Sequence, residues 1–331
     1  MASYWQLIKE IHLKSEIIIP MWLVTGGAGY IGRHVVRELT SSGNQVIVVD
    51  DGSSSDLSNF SESARLLKVD ITDYENFNSK LKPFEFQGVI HLAGKKSVSE
   101  SFAKPQIYMN VNVGGTRNVL RLIQERSINS LIFSSSASIY DATKVSHPKE
   151  GDPLGPISPY GKTKLIGERL IQDFARVNQI RHCSLRYFNV AGASSFELLD
   201  KSRNNLIPII IDRIKSNKRP IIFGNDYQTI DGTCVRDFIH VSDIAKYHAL
   251  AAQELTQRKM PEQINLGTGR GYSVLEVTQC ALKAMNSNLI PIIDEKRVGD
   301  PANLVADISL ASSIFDFKPN FTLKEIIESN L

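Results

Sequence analysis

Tyr160 and Lys164 stand four residues apart in the stretch SPYGKTK (158–164). In the opening turns of a helix that step puts both side chains on one face. A phenol with an ammonium one turn away is a candidate acid/base pair, because a nearby positive charge favours phenolate and draws the pKa down from about 10. The same spacing also arises by chance, so the pair gains meaning only from what else the chain brings to it.

A second constellation lies near the start, in TGGAGYIG (25–32), between a short β-branched run and a helix-like pattern. Glycines at 26, 29 and 32 allow a tight turn, close backbone approach to a pyrophosphate, and close packing of helix on strand. The helix start that follows offers unpaired N–H groups and a positive dipole end to the phosphates. The next strand pattern, QVIVVD, ends in Asp50 and is followed by Asp51. A carboxylate there hydrogen-bonds the ribose hydroxyls of an adenosine and repels a phosphate, which favours NAD over NADP. A third residue stands out further on: Arg236 lies in the mainly apolar TCVRDFIHV, and a guanidinium in such surroundings needs an anionic partner.

These residues need a scaffold, and the pattern around them supplies one. From Met21 onward the runs MWLVT, QVIVVD, RLLKVD, GVIHLA, SLIFSS and RHCSLRYF read as buried strands, with amphipathic helical segments between them. Such alternation predicts an α/β fold, a doubly wound Rossmann-type parallel sheet with helices on both faces. After about Asn189 the rhythm breaks, and a smaller mixed α/β region is expected. The expected division is residues 1–20 as an N-terminal extension, 21–189 as the dinucleotide-binding domain and 190–331 as the substrate domain. No internal repeat or low-complexity tract is present. Ser242, in the VSD that follows the Arg236 stretch, reads as a helix cap.

At 331 residues, 42% hydrophobic and 22% charged, the chain has the composition of an ordinary globular protein. A net charge of +3 without a long basic run gives no footing for nucleic acid or a membrane surface. Cys183, Cys234 and Cys280 lack metal-ligand spacing and suggest a reduced compartment, so no metal is expected. His91 and His240 fall inside strand patterns and read as satisfied core residues. The apolar run near the N-terminus is short and broken by Pro20, which fits neither a signal peptide nor a membrane span, so a cytoplasmic protein is expected.

Taken together, TGGAGYIG, FSSSASIY and SPYGKTK make the chain resemble the extended short-chain dehydrogenase/reductase superfamily. The stretches LRYFNVAGA, NNLIP, FGNDYQTIDGTCVRDFIHVSD, INLGTGRGYSV and RVGDPANLVADIS are similar to those of its UDP-hexose 4-epimerase branch, over residues 21 to about 325. The resemblance implies that Ser136 is the catalytic hydroxyl, Tyr160 the acid/base and Lys164 its partner. Lys164 also reaches the nicotinamide ribose, and the nicotinium charge helps lower the Tyr160 pKa. On the cofactor side it implies contacts from Gly26, Gly29, Tyr30, Ile31, Gly32, Asp50, Asp51, Ser54, Ser55 and Ser134. Asp70 and Ile71 would lie at the adenine, and Leu92, Ala93, Gly94 and Lys96 along the pyrophosphate and ribose. Asn112 would tie the central helix to the active-site strand, and Tyr187 and Phe188 would pack the nicotinamide. Leu92 and Phe188 read equally well as ordinary core. On the substrate side Lys96, Ser136, Tyr160, Asn189, Asn205, Leu206, Ile222, Phe223, Arg236, Arg297, Asp300 and Leu304 match positions that hold a UDP-sugar. The two arginines suit a diphosphate clamp, and the carboxylate suits ribose hydroxyls.

The implied reaction is reversible inversion at carbon 4 of a UDP-hexose through a transient 4-keto sugar, by a homodimer paired through the helices carrying Asn112 and Tyr160. Departures from the family pattern are Asp51, Ser54, Arg33 after the third glycine, Asp141 after Tyr140, and Leu304, where a tyrosine commonly closes the sugar pocket. Leucine there goes with acceptance of an N-acetyl group at carbon 2, so both acetylated and plain UDP-hexoses are expected substrates. The alternatives are a nucleotide-sugar 4,6-dehydratase or decarboxylase, and a non-catalytic dinucleotide sensor on the same fold. Against the first, Ala137 and Ser138 follow Ser136 where those enzymes carry an acid; against the second, the Tyr/Lys pair is kept.

Overall fold

In β1 (Met21–Thr25), β2 (Gln45–Asp50), β4 (Gly88–His91) and β5 (Ser130–Ser136) nearly every side chain is buried, the mark of strands covered on both faces. The computed structural model of the chain describes residues 21–331 except 59, 61–63, 203, 298 and 317. The expectation for residues 1–20 lies outside the described residues.

With β3 (Arg65–Lys68), β6 (Arg181–Tyr187) and β10 (Gln263–Leu266), these strands form one seven-stranded sheet in the order β10-β6-β5-β4-β1-β2-β3. Every pairing in it is parallel. The doubly wound sheet expected from the alternation is therefore present. Its seventh strand, β10, comes from beyond residue 189, out of a four-residue run that carries no period of its own.

Alternate residues of β1 feed opposite cores, as a period of two requires. Trp22 and Val24 join Val35, Leu39 and Tyr247 on one face, while Leu23 joins Phe77, Leu122 and Ile171 on the other. The first face is covered by α1 (Tyr30–Ser41) and by the helix Val241–Gln257. The second is covered by α2 (Tyr74–Leu81), by Gly115–Glu125 and by Pro159–Asn178. In chain order the helices after α2 and up to residue 257 are α3 (Val98–Ala103), α4 (Pro105–Tyr108), α5 (Gly115–Glu125), α6 (Pro159–Asn178), α7 (Leu206–Lys215) and α8 (Val241–Gln257), and three more follow among the described residues, Val274–Ala284, Ser309–Ile314 and Leu323–Glu328. A π-helical turn, Met109–Gly114, joins α4 to α5.

The remaining chain builds a smaller unit around β9 (Val235–His240). It is flanked by β7 (Asn189–Ala191), β11 (Gly271–Ser273) and β13 (Asn303–Leu304), with a separate β8–β12 pair (Ile221–Phe223 and Ile292–Asp294). Ile207, Ile211, Phe238, Val277 and Ile327 form its core. One local expectation fails here. The cap of α8 is His240, whose Nδ1 accepts the Ser242 N–H at 3.1 Å, and Ser242 already lies inside the helix. A ring nitrogen two residues upstream fills the place of the usual cap oxygen.

Candidate active site

The chain order of the sheet reverses between β1 and β4, and a crevice opens beyond the strand ends at such a reversal. A cavity of about 840 Å³ lies there, lined from the glycine loop to Leu304. Gly26 has φ +72°, the left-handed region that glycine tolerates. A Cβ on Gly32 would come within 2.2 Å of the Gly26 carbonyl oxygen, so α1 closes on the loop only because glycine is there. Gly29 caps α1 with no side-chain hydrogen bond, which leaves the helix N–H groups facing the cavity. Such a cradle fits a dinucleotide pyrophosphate. Asp50 ends β2 buried, accepting the Ala28 N–H at 3.1 Å and the Gly52 N–H at 2.9 Å, and burial raises its pKa.

At the far end of the cavity, α6 meets the end of β5. Ser158 caps α6 by accepting the Gly161 N–H at 3.0 Å. Gly161 itself allows the close approach, since a Cβ there would lie 2.5 Å from the Ser138 carbonyl oxygen. Tyr160 and Lys164 therefore face Ser134–Ser136 across one helix–strand contact. Ser136 lies close enough to Tyr160 to lower its phenol pKa, and Lys164 Nζ donates to the Ser134 carbonyl at 2.7 Å and lies 5.9 Å from the Tyr160 ring centroid. Tyr108 presents its ring edge-on to Tyr160 at 6.5 Å.

The electrostatics depart from expectation. Burial pushes the Tyr160 phenol above its ordinary pKa, and the neighbouring Ser136 pulls it only partly back. Burial also lowers Lys164 to about 8, with the Glu168 charge opposing. The expected fall of the Tyr160 pKa is thus not produced by Lys164 in the protein alone. Its ammonium points to a backbone carbonyl, and desolvation outweighs it.

Asn112, in the π turn, accepts the Lys95 N–H at 2.7 Å and donates to the Lys95 carbonyl at 3.0 Å and to Thr163 Oγ1 at 2.9 Å. It fastens the loop after β4 to α6 from behind, without reaching the cavity wall. His91 is buried with both ring nitrogens satisfied. Thr116 spends its hydroxyl proton on the Asn112 carbonyl, so His91 Nε2–H donates to Thr116 and Nδ1 accepts from Thr25.

On the other side of the cavity, α7 starts at Asn205 and Leu206, both at the wall. Arg236 donates to the carbonyls of Val235 and Pro301, each at 2.8 Å, and lies 3.7 Å from Asp300. In β13, Leu304 pairs with Arg236 and packs against the cluster of Tyr140, Phe188 and Ala306. The residues expected at the site line the cavity except Asn112, Ile222, Phe223 and Arg297. Ile222 is buried in β8, and Arg297 stacks on the Phe223 ring at 4.0 Å instead of turning inward.

Three residues at the site escaped sequence reasoning. Asp200 accepts from Asn205 Nδ2 at 2.5 Å and faces Lys96 at 3.9 Å, and no spacing in the sequence pointed to it. Glu168 follows Lys164 by one further helical turn, a signal that was readable, but its partner Arg186 lies in a different element, the strand β6. Among the described residues no group of three or more His, Cys, Asp or Glu could hold a metal ion, and no helix is long and apolar enough to cross a membrane.

Residues 22–267 match the model of the NAD dependent epimerase/dehydratase family. A UDP-glucose 4-epimerase of Lactobacillus helveticus is 37% identical over 301 residues, 90% of this chain and 91% of that protein. The crystal structure of UDP-glucose 4-epimerase from Bifidobacterium longum in complex with NAD+ and UDP superposes with a TM-score of 0.88 at 34% identity, covering 94% of this chain and 96% of that one. The UDP-Glc/GlcNAc 4-epimerase of Campylobacter jejuni gives a TM-score of 0.81 at 31% identity, covering 94% and 98%. Fold, glycine cradle and sequence agree, and the chain belongs to the NAD dependent epimerase/dehydratase family.

Proposed function

We propose that this protein is an NAD-dependent isomerase that inverts carbon 4 of UDP-hexoses, both the plain pair and the N-acetylated pair. The observation that carries the reading is one cavity lined at once by the glycine cradle, by Ser136, Tyr160 and Lys164, and by Asn205, Arg236 and Asp300. The glycine cradle and Asp50 would hold NAD, which would supply reversible hydride acceptance at carbon 4, with no net redox. Tyr160 takes the proton of the 4-hydroxyl and later gives it back, and Ser136 orients that hydroxyl. Lys164 and the positive charge of bound NAD would together favour the phenolate. Arg236 and the N-terminus of α7, at Asn205 and Leu206, hold the diphosphate. Because the anchor is the diphosphate, the sugar is free to turn between its two faces. A dehydratase is not favoured, since Ala137 and Ser138 supply no second acid after Ser136.

The proposed division of labour gives residues 21–189 the cofactor and 190–331 the UDP-sugar, with β10 and α8 returning to the large sheet. A homodimer through the helices around Asn112 and Tyr160 is supported by the exposed Phe102, Ile107 and Met109 beside them. A reducing, cytoplasmic setting is supported by three free cysteines.

The test is to incubate purified protein separately with UDP-galactose, UDP-glucose and their N-acetylated counterparts and to resolve the products. Interconversion within each pair is expected. Tyr160→Phe should retain NAD yet slow turnover by about a hundredfold or more. Near wild-type activity in that variant refutes the assignment of Tyr160.

A further inference from the structure

Below the Tyr160–Lys164 pair lies a buried unit that the reaction as described does not use. Glu168, one turn beyond Lys164 on α6, is 2% exposed and paired with Arg186 of β6, which is equally buried. The guanidinium grips the carboxylate twice, Nη2 to Oε2 at 2.7 Å and Nε to Oε1 at 3.0 Å. Glu168 Oε1 also accepts a short hydrogen bond from Ser135 Oγ. Arg186 Nη1 continues to Tyr140 Oη at 2.8 Å and to the Glu150 carbonyl at 2.8 Å.

The arrangement brackets Ser136. Ser135, immediately before it, is held by Glu168, and Tyr140, four residues after it, is held by Arg186. Ser134, one residue further back, gives its carbonyl to Lys164. A single buried ion pair thus fixes both ends of the segment that carries the Ser136 hydroxyl, and α6 grips adjacent residues of β5 through Lys164 and Glu168. A buried pair with its remaining valences satisfied can supply this kind of geometric specificity even where its net stabilisation is small. Burial keeps the neighbouring His91 and His182 rings and the Cys183 thiol neutral. Glu150 turns its carboxylate to the Asn265 N–H. Lys164, Glu168 and Arg186 are therefore the charges in play.

We propose that Glu168, with Arg186, is a positioning residue for the reaction: through Ser135 and Tyr140 it aims the Ser136 hydroxyl at Tyr160, and through its charge it keeps the Lys164 ammonium in place. This rests on the reading of Ser136 and Tyr160 as the proton-moving pair. With the bracket loosened, Ser136 supports the phenolate less well, and Tyr160 needs a higher pH to ionise.

The mildest probe is Ser135→Ala, which removes one hydrogen bond and leaves the ion pair whole. The expected result is a fall in kcat of about tenfold at neutral pH with KM unchanged. The acid limb of the kcat profile should move up by about one pH unit, which is the same factor. Ser135→Thr, which keeps the hydroxyl, should restore both. Glu168→Gln should shift the limb further, and Tyr140→Phe should act in the same direction as Ser135→Ala. Titration of the Tyr160 phenol by ultraviolet difference absorbance, each background against its own Tyr160→Phe, reads the same shift without turnover. Wild-type kcat and an unmoved Tyr160 titration in Ser135→Ala would overturn the proposal. So would a fall in kcat that is uniform with pH, since that marks a merely structural role. If the wild-type protein turns over no UDP-hexose, the functional reading fails instead, and the phenol titration still decides the role of the bracket.

Discussion

Leu304 shows how much one side chain can decide. It lies half-buried on the cavity wall, fixed by its pairing with Arg236 and by contact with the Tyr140–Phe188 cluster. A phenol ring at this position fills space that leucine leaves open, and admitting an N-acetyl group beside such a ring displaces packed side chains at roughly 1–3 kcal/mol. Leu304→Tyr is therefore expected to lower kcat/KM for the N-acetylated UDP-hexoses by about ten- to a hundredfold, with the plain pair little changed. Steady-state kinetics on all four sugars checks this, and an equal loss on all of them would make the residue part of the wall only. At this scale the sequence was legible where a motif is local. Tyr160 and Lys164 share a helix, so their spacing announced them. Asp200 and Arg186 act across strands and loops, and no local pattern reports such partners. Spacing also does not contain what packs around the phenol, and in the protein without its cofactor that desolvation raises the Tyr160 pKa.

The glycine loop is the element where sequence and structure correspond most closely, because backbone geometry there admits almost no other residue. Gly32→Ala would place a Cβ 2.2 Å from the Gly26 carbonyl oxygen and 2.7 Å from Gly27 Cα, both backbone atoms that cannot swing aside. The loop and α1 must then separate, and the cradle opens. Purified Gly32→Ala is expected to carry little NAD, measured as nucleotide released on denaturation, and to lose about 1–3 kcal/mol of stability. Gly43, in an open turn with nothing within 4 Å of a Cβ, is the control: alanine there strains only a positive φ and leaves NAD content unchanged. The long strands and helices were readable for a related reason, since β-branched runs with both faces buried differ from amphipathic segments. The short strands β7, β11 and β13 hold two or three residues each, too few to express a period. The cap of α8 was misassigned because a histidine ring took a role usually read from serine.

At the scale of the whole molecule, four buried histidines join elements distant in the chain. His34 Nδ1–H donates to the Tyr30 carbonyl, and Nε2 accepts the Ser194 N–H at 3.1 Å. His240 accepts the Ser242 N–H and contacts Ser329. His248 Nδ1–H donates to the Ile244 carbonyl, and Nε2 takes the Tyr187 hydroxyl. His91 accepts from Thr25. In each ring one nitrogen accepts a bond that a proton would abolish. Burial holds the pKa values at about 4, 4, 4 and 3 for His34, His240, His248 and His91. Each lies below the ordinary value of about 6.5, so the unfolded chain binds protons first. Stability is therefore complete above about pH 6.5 and falls toward pH 4, with each ring contributing roughly 1 kcal/mol per pH unit where its two states differ fully. Burial raises Asp243 to about 6 and also lifts Asp50 and Asp237. Those carboxylates gain stability on acidification, Asp243 from about pH 6 downward, and so work against the four rings, which outnumber them. Thermal unfolding should accordingly fall by roughly 5 °C or more between pH 7.5 and 5. His34→Gln, whose amide oxygen can still accept the Ser194 N–H, should make that decline shallower. A melting temperature that holds or rises as the pH drops would show that the carboxylates dominate and that the histidines are not the acid-sensitive joints of the fold.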